Sequence, residues 1–216
     1  MLIDLHCHTR LGSEDSFLTP VELIQRAKAL GLDGICLTEH DWFWPPETLA
    51  RLSEEHGILV VPAVEVTTEE GHLLVFGATR YIFGMHRAAF VRRLIDEVGG
   101  AMVVAHPYRR QFREDEPPDE SGHLPSVQRA CENSIFGVVD AVEILNGRAS
   151  NGENGFSFQL GERLRLRGCG GSDAHSLAEI GSCATLFTRR ITCLEELIVE
   201  LREGRFQAAD MRQAGM

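Results

Sequence analysis

The sequence predicts an α/β protein built of repeated β/α units, and three observations carry that expectation. Short apolar runs alternate with amphipathic segments along the whole chain. Capping-box patterns, Thr19-Pro20-Val21-Glu22 and Thr192-Cys193-Leu194-Glu195, stand ahead of stretches with helical spacing. Histidines and carboxylates recur where apolar runs stop, from Asp4-Leu5-His6-Cys7-His8 at one end to Gly171-Ser172-Asp173-Ala174-His175 at the other.

The elements follow in order. Leu2–His8 reads as the first strand, and Leu23, Ile24, Ala27 and Leu30 give the first helix its apolar face, closed by Gly31. Gly34–Thr38 is the second strand, Pro46–His56 the second helix, and Ile58–Val64 the third strand. Gly71–Gly77 is a strand and His86–Val98 a helix. Ala101–Ala105 and Val138–Leu145 are further strands, with a helix expected within Pro125–Asn133. Asn154–Arg167 reads as helix before a strand at Cys169–Gly171. Ala184–Phe187 is the last strand, followed by a helix that starts at the Thr192 capping box and stops at Gly204. Arg109–Gly122 is long, polar and contains two prolines, and is expected to be a lid.

With 216 residues and 44% hydrophobic content the chain can bury one substantial core, so a single domain over 1–216 is expected. No apolar run reaches the roughly 18–20 residues of a membrane span, and no signal-peptide pattern opens the chain. The six cysteines form no C-x-x-C pair and read as reduced core residues, which points to a cytoplasmic protein. A formal charge of −11 argues against a general nucleic-acid-binding surface. Oligomeric state is not written in the sequence. The only lysine is Lys28.

In a strand, residues i and i+2 share a face, so His6 and His8 point the same way and Cys7 points away. Asp4 lies on that same face, where it is expected to accept the other ring N–H of a histidine. His40 follows the second predicted strand, Glu65 the third, His106 the Ala101–Ala105 strand, and Asp173 and His175 the strand at Gly170. In β/α barrels such ends converge on one rim, where active sites are built. His72 starts a strand, but the link from Glu65 is too short for a crossover helix. An antiparallel hairpin therefore brings it back beside Glu65. Asp15 suits either a ligand or a turn residue. His56, His86 and His123 are placed outside the cluster. Arg109 and Arg148 stand where they can reach the rim and fork onto phosphate oxygens, and Arg110 and Arg113 share the first loop. Imidazole and carboxylate donors of this kind suit Zn, Mn or Fe.

These motifs, in this order, resemble those of the PHP family, named for polymerase and histidinol phosphatase. They are Asp4-Leu5-His6-Cys7-His8, Thr38-Glu39-His40-Asp41, Val64-Glu65, Ala105-His106-Pro107 and Gly171-Ser172-Asp173-Ala174-His175. Glu143-Ile144-Leu145-Asn146-Gly147-Arg148 is similar to a stretch of its small stand-alone phosphoesterases, and Glu39 stands where the family more often has Asp. The resemblance implies a distorted seven-stranded (β/α) TIM-like barrel carrying two or three divalent metal ions. His6, His8, Glu65 and Asp173 would hold the first ion. Glu65 would bridge to a second, bound also by His72 and His106, and Asp15, His40 and His175 would hold a third. Glu65, Asp173 and His175 are then the catalytic candidates, with Arg109 and Arg148 binding substrate. The expected activity is hydrolysis of a phosphate ester by a metal-activated hydroxide, on a small phosphorylated metabolite, nucleotide or short oligonucleotide. Two alternatives stay open: an amidohydrolase-like C–N hydrolase, for which the mid-helix Lys28 is poorly placed, and a non-catalytic metal-binding accessory module.

Overall fold

The computed structural model describes residues 1–110 and 127–212. From residue 111 onward the expected lid lies outside the described residues, as do Arg113 and His123. The first half of the chain runs β1 (Leu2–Cys7), α1 (Pro20–Ala29), β2 (Gly34–Leu37), α2 (Pro46–His56), β3 (Leu59–Pro62), β4 (Val64–Thr67), β5 (His72–Phe76), α3 (Ala88–Val98) and β6 (Ala101–Val104). After the short α4 (Val127–Ala130) and a 3₁₀ turn at Ser134–Gly137 come β7 (Ala141–Asn146), α5 (Asn151–Leu164), β8 (Arg167–Gly171), β9 (Cys183–Phe187), α6 (Leu194–Glu203) and β10 (Phe206–Asp210).

The expected seven-stranded closed barrel is replaced, among the described residues, by ten strands in two five-stranded sheets. One has the order β10-β9-β1-β2-β3 and the other β4-β5-β6-β7-β8. Both mix parallel and antiparallel pairs: β4, β5 and β6 form an antiparallel meander, and β9 runs antiparallel to both β1 and β10. The inner faces still share one core, with Ile3, Leu5 and Val61 of the first sheet packed in a cluster with Leu74, Phe76 and Val103 of the second. Helices α1 and α2 cover the outside of the first sheet with Leu23, Ile24 and Leu49, while α3 and α5 cover the second with Val91, Ile95 and Leu160.

Two seams explain why the ladder does not close. At β8 and β9 the hydroxyl of Thr185 accepts the Gly170 amide at 2.9 Å and donates to the Gly170 carbonyl at 2.7 Å, doing what a neighbouring backbone would do. At the other seam the apolar run expected as one strand, Ile58–Val64, breaks into β3 and β4, which belong to different sheets. Pro62 has no N–H to extend a ladder, and both halves are buried, so hydrophobicity alone does not show the break.

Local signals explain most element ends. Thr19 and Glu22 cap each other's backbone amides at 3.2 and 2.9 Å, with Pro20 at the first helical position. Gly204 closes α6 in the left-handed region (φ 65°). The second capping box is displaced by one residue. Cys193 is the N-cap, and Thr192 bonds through its amide and hydroxyl to Glu196 instead of Glu195. Helix α5 starts three residues earlier than expected, at a Ser150–Glu153 capping box that the sequence reading missed, and β10 was missed as well.

β1 carries the detail on which the site depends. Its register against β2 slips by one residue between Asp4 and Cys7, a β-bulge. After the bulge Cys7 packs on the helix side with Leu37 and Ala174, and His6 and His8 turn inward. Asp4 is thereby separated from the histidines it was expected to serve. Its Oδ1 accepts the amides of His6 at 3.2 Å and Ser172 at 2.8 Å. The six cysteines are free thiols, and no helix among the described residues is long and apolar enough to cross a membrane.

Two outcomes are expected. A methyl group at Gly170 would lie 2.6 Å from the Ala184 carbonyl oxygen, so Gly170→Ala should cost about 1–3 kcal/mol by overpacking, read as a lower thermal midpoint. Burial pushes the Asp4 carboxyl up to about 6, against the hydrogen bonds that favour its charged form. Its folded pKa therefore lies above the ordinary 3.8, and this group's contribution to stability falls as pH rises from about 4 to about 6. Asp4→Asn keeps the carbonyl acceptor and removes the titration. In urea denaturation at pH 4 and pH 7, the variant should gain on the wild type at the higher pH, and a constant difference would contradict the assignment.

Candidate metal centre

Backbone contacts at the two seams set the positions of the functional side chains. Beyond β8, the Asp173 amide donates to the His6 carbonyl at 2.7 Å and the His8 amide to the Ala174 carbonyl at 3.0 Å. At the other seam the Glu65 amide donates to the Glu39 carbonyl at 3.0 Å and the Asp41 amide to the Glu65 carbonyl at 2.9 Å, which sets His40 opposite Glu65. The hairpin expected between Glu65 and His72 is present as β4 and β5, with Thr67 opposite His72. His106 and Asp173 adopt positive φ (26° and 54°), conformations uncommon for residues with a side chain and typical of constrained functional positions.

Glu65 is the centre of the arrangement. Its Oε2 lies 2.9 Å from His40 Nδ1 and 3.4 Å from Nε2 of both His6 and His8. Its Oε1 lies 2.7 Å from His72 Nδ1 and 2.9 Å from His106 Nε2. Asp173 forms the opposite wall, with Oδ1 3.5 Å from His8 Nε2 and 3.8 Å from His6 Nε2, and Oδ2 3.9 Å from His106 Nε2. Asp15 is exposed, and its two oxygens sit 3.4 Å from His40 Nε2 and 3.1 Å from His175 Nε2. Every residue expected as a ligand is therefore present at one place. His56 and His86 are elsewhere: the His56 carbonyl accepts from Lys28, and His86 faces Glu69 at 4.0 Å.

An outer layer of polar groups orients the imidazoles. His6 Nδ1 donates to Glu143 Oε1 at 3.1 Å, the role expected of Asp4. His8 Nδ1 meets the Ser13 hydroxyl at 3.0 Å, and that hydroxyl donates to Glu39 Oε2 at 2.6 Å, so it is left to accept the ring N–H. Glu39 also accepts the Thr9 amide at 2.9 Å and the Trp44 indole N–H at 3.1 Å. His175 Nδ1 donates to the Asp173 carbonyl at 2.8 Å; the Arg148 guanidinium, also 2.9 Å from Nδ1, cannot donate to a nitrogen that carries this hydrogen. In each case a hydrogen sits on Nδ1 and Nε2 is the nitrogen turned inward, the arrangement by which outer partners prepare metal-binding histidines.

Glu143 and Asn146 were missed as site residues. Glu143 Oε2 accepts the His106 amide at 2.8 Å and the Asn146 side-chain amide at 3.0 Å, and that amide also reaches Asp173 Oδ2 at 3.2 Å. The signal lay in the carboxylate itself: an acidic residue inside an apolar strand requires a buried partner.

The charges of the cluster follow from these contacts. Burial alone would raise the Glu65 carboxyl, but His6 and the hydrogen bonds from His106 and His40 hold it well below the usual carboxylate range. Asp173 is lowered in the same way, by His6 and then Arg109 acting against burial. Burial depresses His8 and His175 below the ordinary imidazole value, so both stay neutral and able to donate a lone pair. Against the effect of burial, the carboxylates Glu143, Asp173 and Glu65 raise His6 well above its ordinary value.

The donor set fits divalent metal ions. Among the described residues, the buried atoms without a hydrogen-bond partner include His6 Nε2, His8 Nε2, Glu65 Oε2, Asp173 Oδ1 and His175 Nε2. Orphaned buried polar atoms are costly, and here five of them belong to one cluster. Four groups of donor atoms, each group within 4.8 Å, could hold an ion: His6-His8-Glu65, His6-His106-Asp173, Glu65-His72-His106 and His8-His40-His175. Arg109 and Arg148 stand beside them. Arg109 Nη1 contacts Asp173 Oδ2 and lies 3.3 Å from Asn146 Oδ1, and Arg148 Nη1 lies 4.0 Å from Asp173 Oδ1. A cleft of about 360 Å³ opens beside His72, His106 and Arg109.

Known proteins resemble this chain in sequence and in fold. The chain is 28% identical over 163 residues to an uncharacterized protein of Methanocaldococcus jannaschii, covering 70% of this chain and 85% of that one. A 65-residue stretch is 35% identical to the 5'-3' exoribonuclease of Haemophilus influenzae, covering 30% of this chain and 23% of the enzyme. Among solved structures, a two-domain protein of Bacteroides vulgatus containing a predicted PHP-like metal-dependent phosphoesterase superposes with a TM-score of 0.68 at 20% identity. The match covers 97% of this chain and 64% of that one. Residues 151–206 match the model described as PHP-associated. Residues 4–112, half of the chain and the part that carries seven of the nine expected metal ligands, match the PHP domain itself, and the chain belongs to that family.

Proposed function

We propose that the centre binds two or three divalent ions, of Zn, Mn or Fe, and hydrolyses a phosphate ester of a small metabolite, a nucleotide or a short oligonucleotide. The observation that carries this reading is the set of orphaned inward-facing donors around buried Glu65, with two guanidiniums at its edge. His6, His8, Glu65 and Asp173 would hold one ion, Glu65, His72 and His106 a second, and His40, His175 and Asp15 a third. Bound there, such ions supply a water of lowered pKa at neutral pH and positive charge for the phosphoryl oxygens.

The chain's own residues do the rest. Arg109 and Arg148 present planar forks that match phosphate oxygens and hold the reacting group against the Asp173 side of the cluster. Glu65 remains ionised and keeps five imidazoles converged on one point. Asp173 holds the other side, while its backbone carbonyl keeps His175 Nδ1 protonated and the His175 Nε2 lone pair free. The C–N hydrolase alternative is disfavoured, because Lys28 Nζ is bonded to the His56 carbonyl at 2.6 Å, away from the cluster. The similarity of one segment to an exoribonuclease supports keeping phosphodiesters among the candidate substrates.

Two experiments test the proposal. Glu65→Gln keeps the shape but leaves a neutral ligand. Elemental analysis of protein purified without chelators should show loss of at least one ion per chain, with most phosphate release lost too; full metal content with near-normal turnover would falsify the assignment. Arg109→Ala and Arg148→Ala should each remove about 1.5–3 kcal/mol, roughly 10- to 150-fold in kcat/KM, with metal content intact. Wild-type kinetics in both variants would eliminate the phosphate-binding roles.

A further inference from the structure

Arg109 can hold a phosphate only if the backbone that carries it is fixed. Within the five residues His106–Arg110, three have a side chain and a positive φ: His106 (26°), Tyr108 (61°) and Arg110 (63°). Such conformations persist only where surrounding contacts over-determine them. Here the contacts come from beyond the segment that matches the PHP domain, chiefly from α5. The Glu153 carboxylate accepts the Arg110 amide through Oε1 and the Ser150 amide through Oε2, the latter at 2.8 Å. Ser157 Oγ donates to the Pro107 carbonyl at 3.4 Å. The Tyr108 ring stands edge-on to Phe156 at 5.6 Å, and its hydroxyl donates to the Ala130 carbonyl at 3.1 Å. At the other end of the segment Glu143 holds the His106 amide at 2.8 Å.

We infer that Glu153 is a positioning residue for substrate: by holding the Arg110 amide it fixes the strained segment that aims the Arg109 guanidinium at the reacting phosphate. Glu153 is only 9% exposed, and it serves the helix cap and this segment with separate oxygens. One carboxylate thereby ties the start of α5 to the residue that grips the substrate. His106 has its own tether in Glu143, so Glu153 acts on phosphate binding and leaves the metal ligands in place. The inference rests on the phosphoesterase reading and on the role of Arg109 within it.

The test uses the metal-loaded enzyme, with inorganic phosphate as a competitive inhibitor and a phosphate ester as substrate. Glu153→Ala should raise the inhibition constant for phosphate at least tenfold and lower kcat/KM by a similar factor. The fall should appear mainly in KM, with metal content unchanged. Glu153→Gln, which keeps an oxygen for the Arg110 amide, should recover most of the loss. Ser150→Ala removes only the hydroxyl that caps the Glu153 amide at 3.2 Å; it should lower thermal stability and leave phosphate inhibition within twofold of wild type. Equal phosphate inhibition in Glu153→Ala and Ser150→Ala would overturn the inference. If Arg109→Ala weakens phosphate binding in that comparison, the phosphoesterase reading stands without it. Loss of phosphate binding in Glu153→Ala with none in Arg109→Ala would overturn the route through Arg109, and silence in both variants would overturn the inference and the role of Arg109 together.

Discussion

A carboxylate buried at the seam between two sheets is the constraint on which the rest of this structure depends. Glu65 is 1% exposed, and an isolated charge at such depth is too costly to keep without partners. Its partners are five imidazoles carried by four separate parts of the chain: His6 in β1 and His8 just after it, His40 after β2, His72 at the start of β5 and His106 after β6. The backbone of Glu65 is engaged as well, bonded to Glu39 and Asp41 across the seam. The same residue therefore stitches the two sheets together and gathers the imidazoles.

That double duty explains where the sheets meet. Their ladders do not merge along the length of the strands; they touch through isolated bridges, Cys7 with Ala174 and His40 with Glu65. Both bridges lie among the functional residues. A continuous ladder would have imposed strict alternation on side chains here. Bulges in β1 and in β7, between Glu143 and Leu145, break that alternation and bring His6, His8, Glu143 and Asn146 to one side. Irregularity at this end of the fold is what lets so many polar groups converge.

Around the ligands a second layer of carboxylates, Glu39 and Glu143, is satisfied by hydroxyl, amide, indole and imidazole donors. These partners occupy the Nδ1 side of His6 and His8, so Nε2 of each ring is the atom turned inward. Preorganisation of this kind lowers the cost of assembling the site when a cation arrives. The guanidiniums of Arg109 and Arg148 stand beside the cluster on its Asp173 side.

What the sequence determined alone was the chemistry and its order along the chain. Local rules acting within a few residues placed the capped start of α1, the limits of α2 and the hairpin that returns His72 to Glu65. The spacing of histidines and acids at the ends of apolar runs picked out the side chains that the fold brings to one place, since such groups are costly to bury without partners. Tertiary structure decided what depends on partners distant in sequence. A one-residue bulge, invisible in composition, took Asp4 away from the His6 ring and gave its expected role to Glu143, 137 residues beyond His6. The break at Pro62 and Ala63 was hidden because the strands on both sides are equally buried. Whether the strands close a barrel or leave two sheets is settled by hydrogen bonds such as that of the Thr185 hydroxyl to Gly170, and hydrophobic pattern does not encode which side chain will replace a backbone partner.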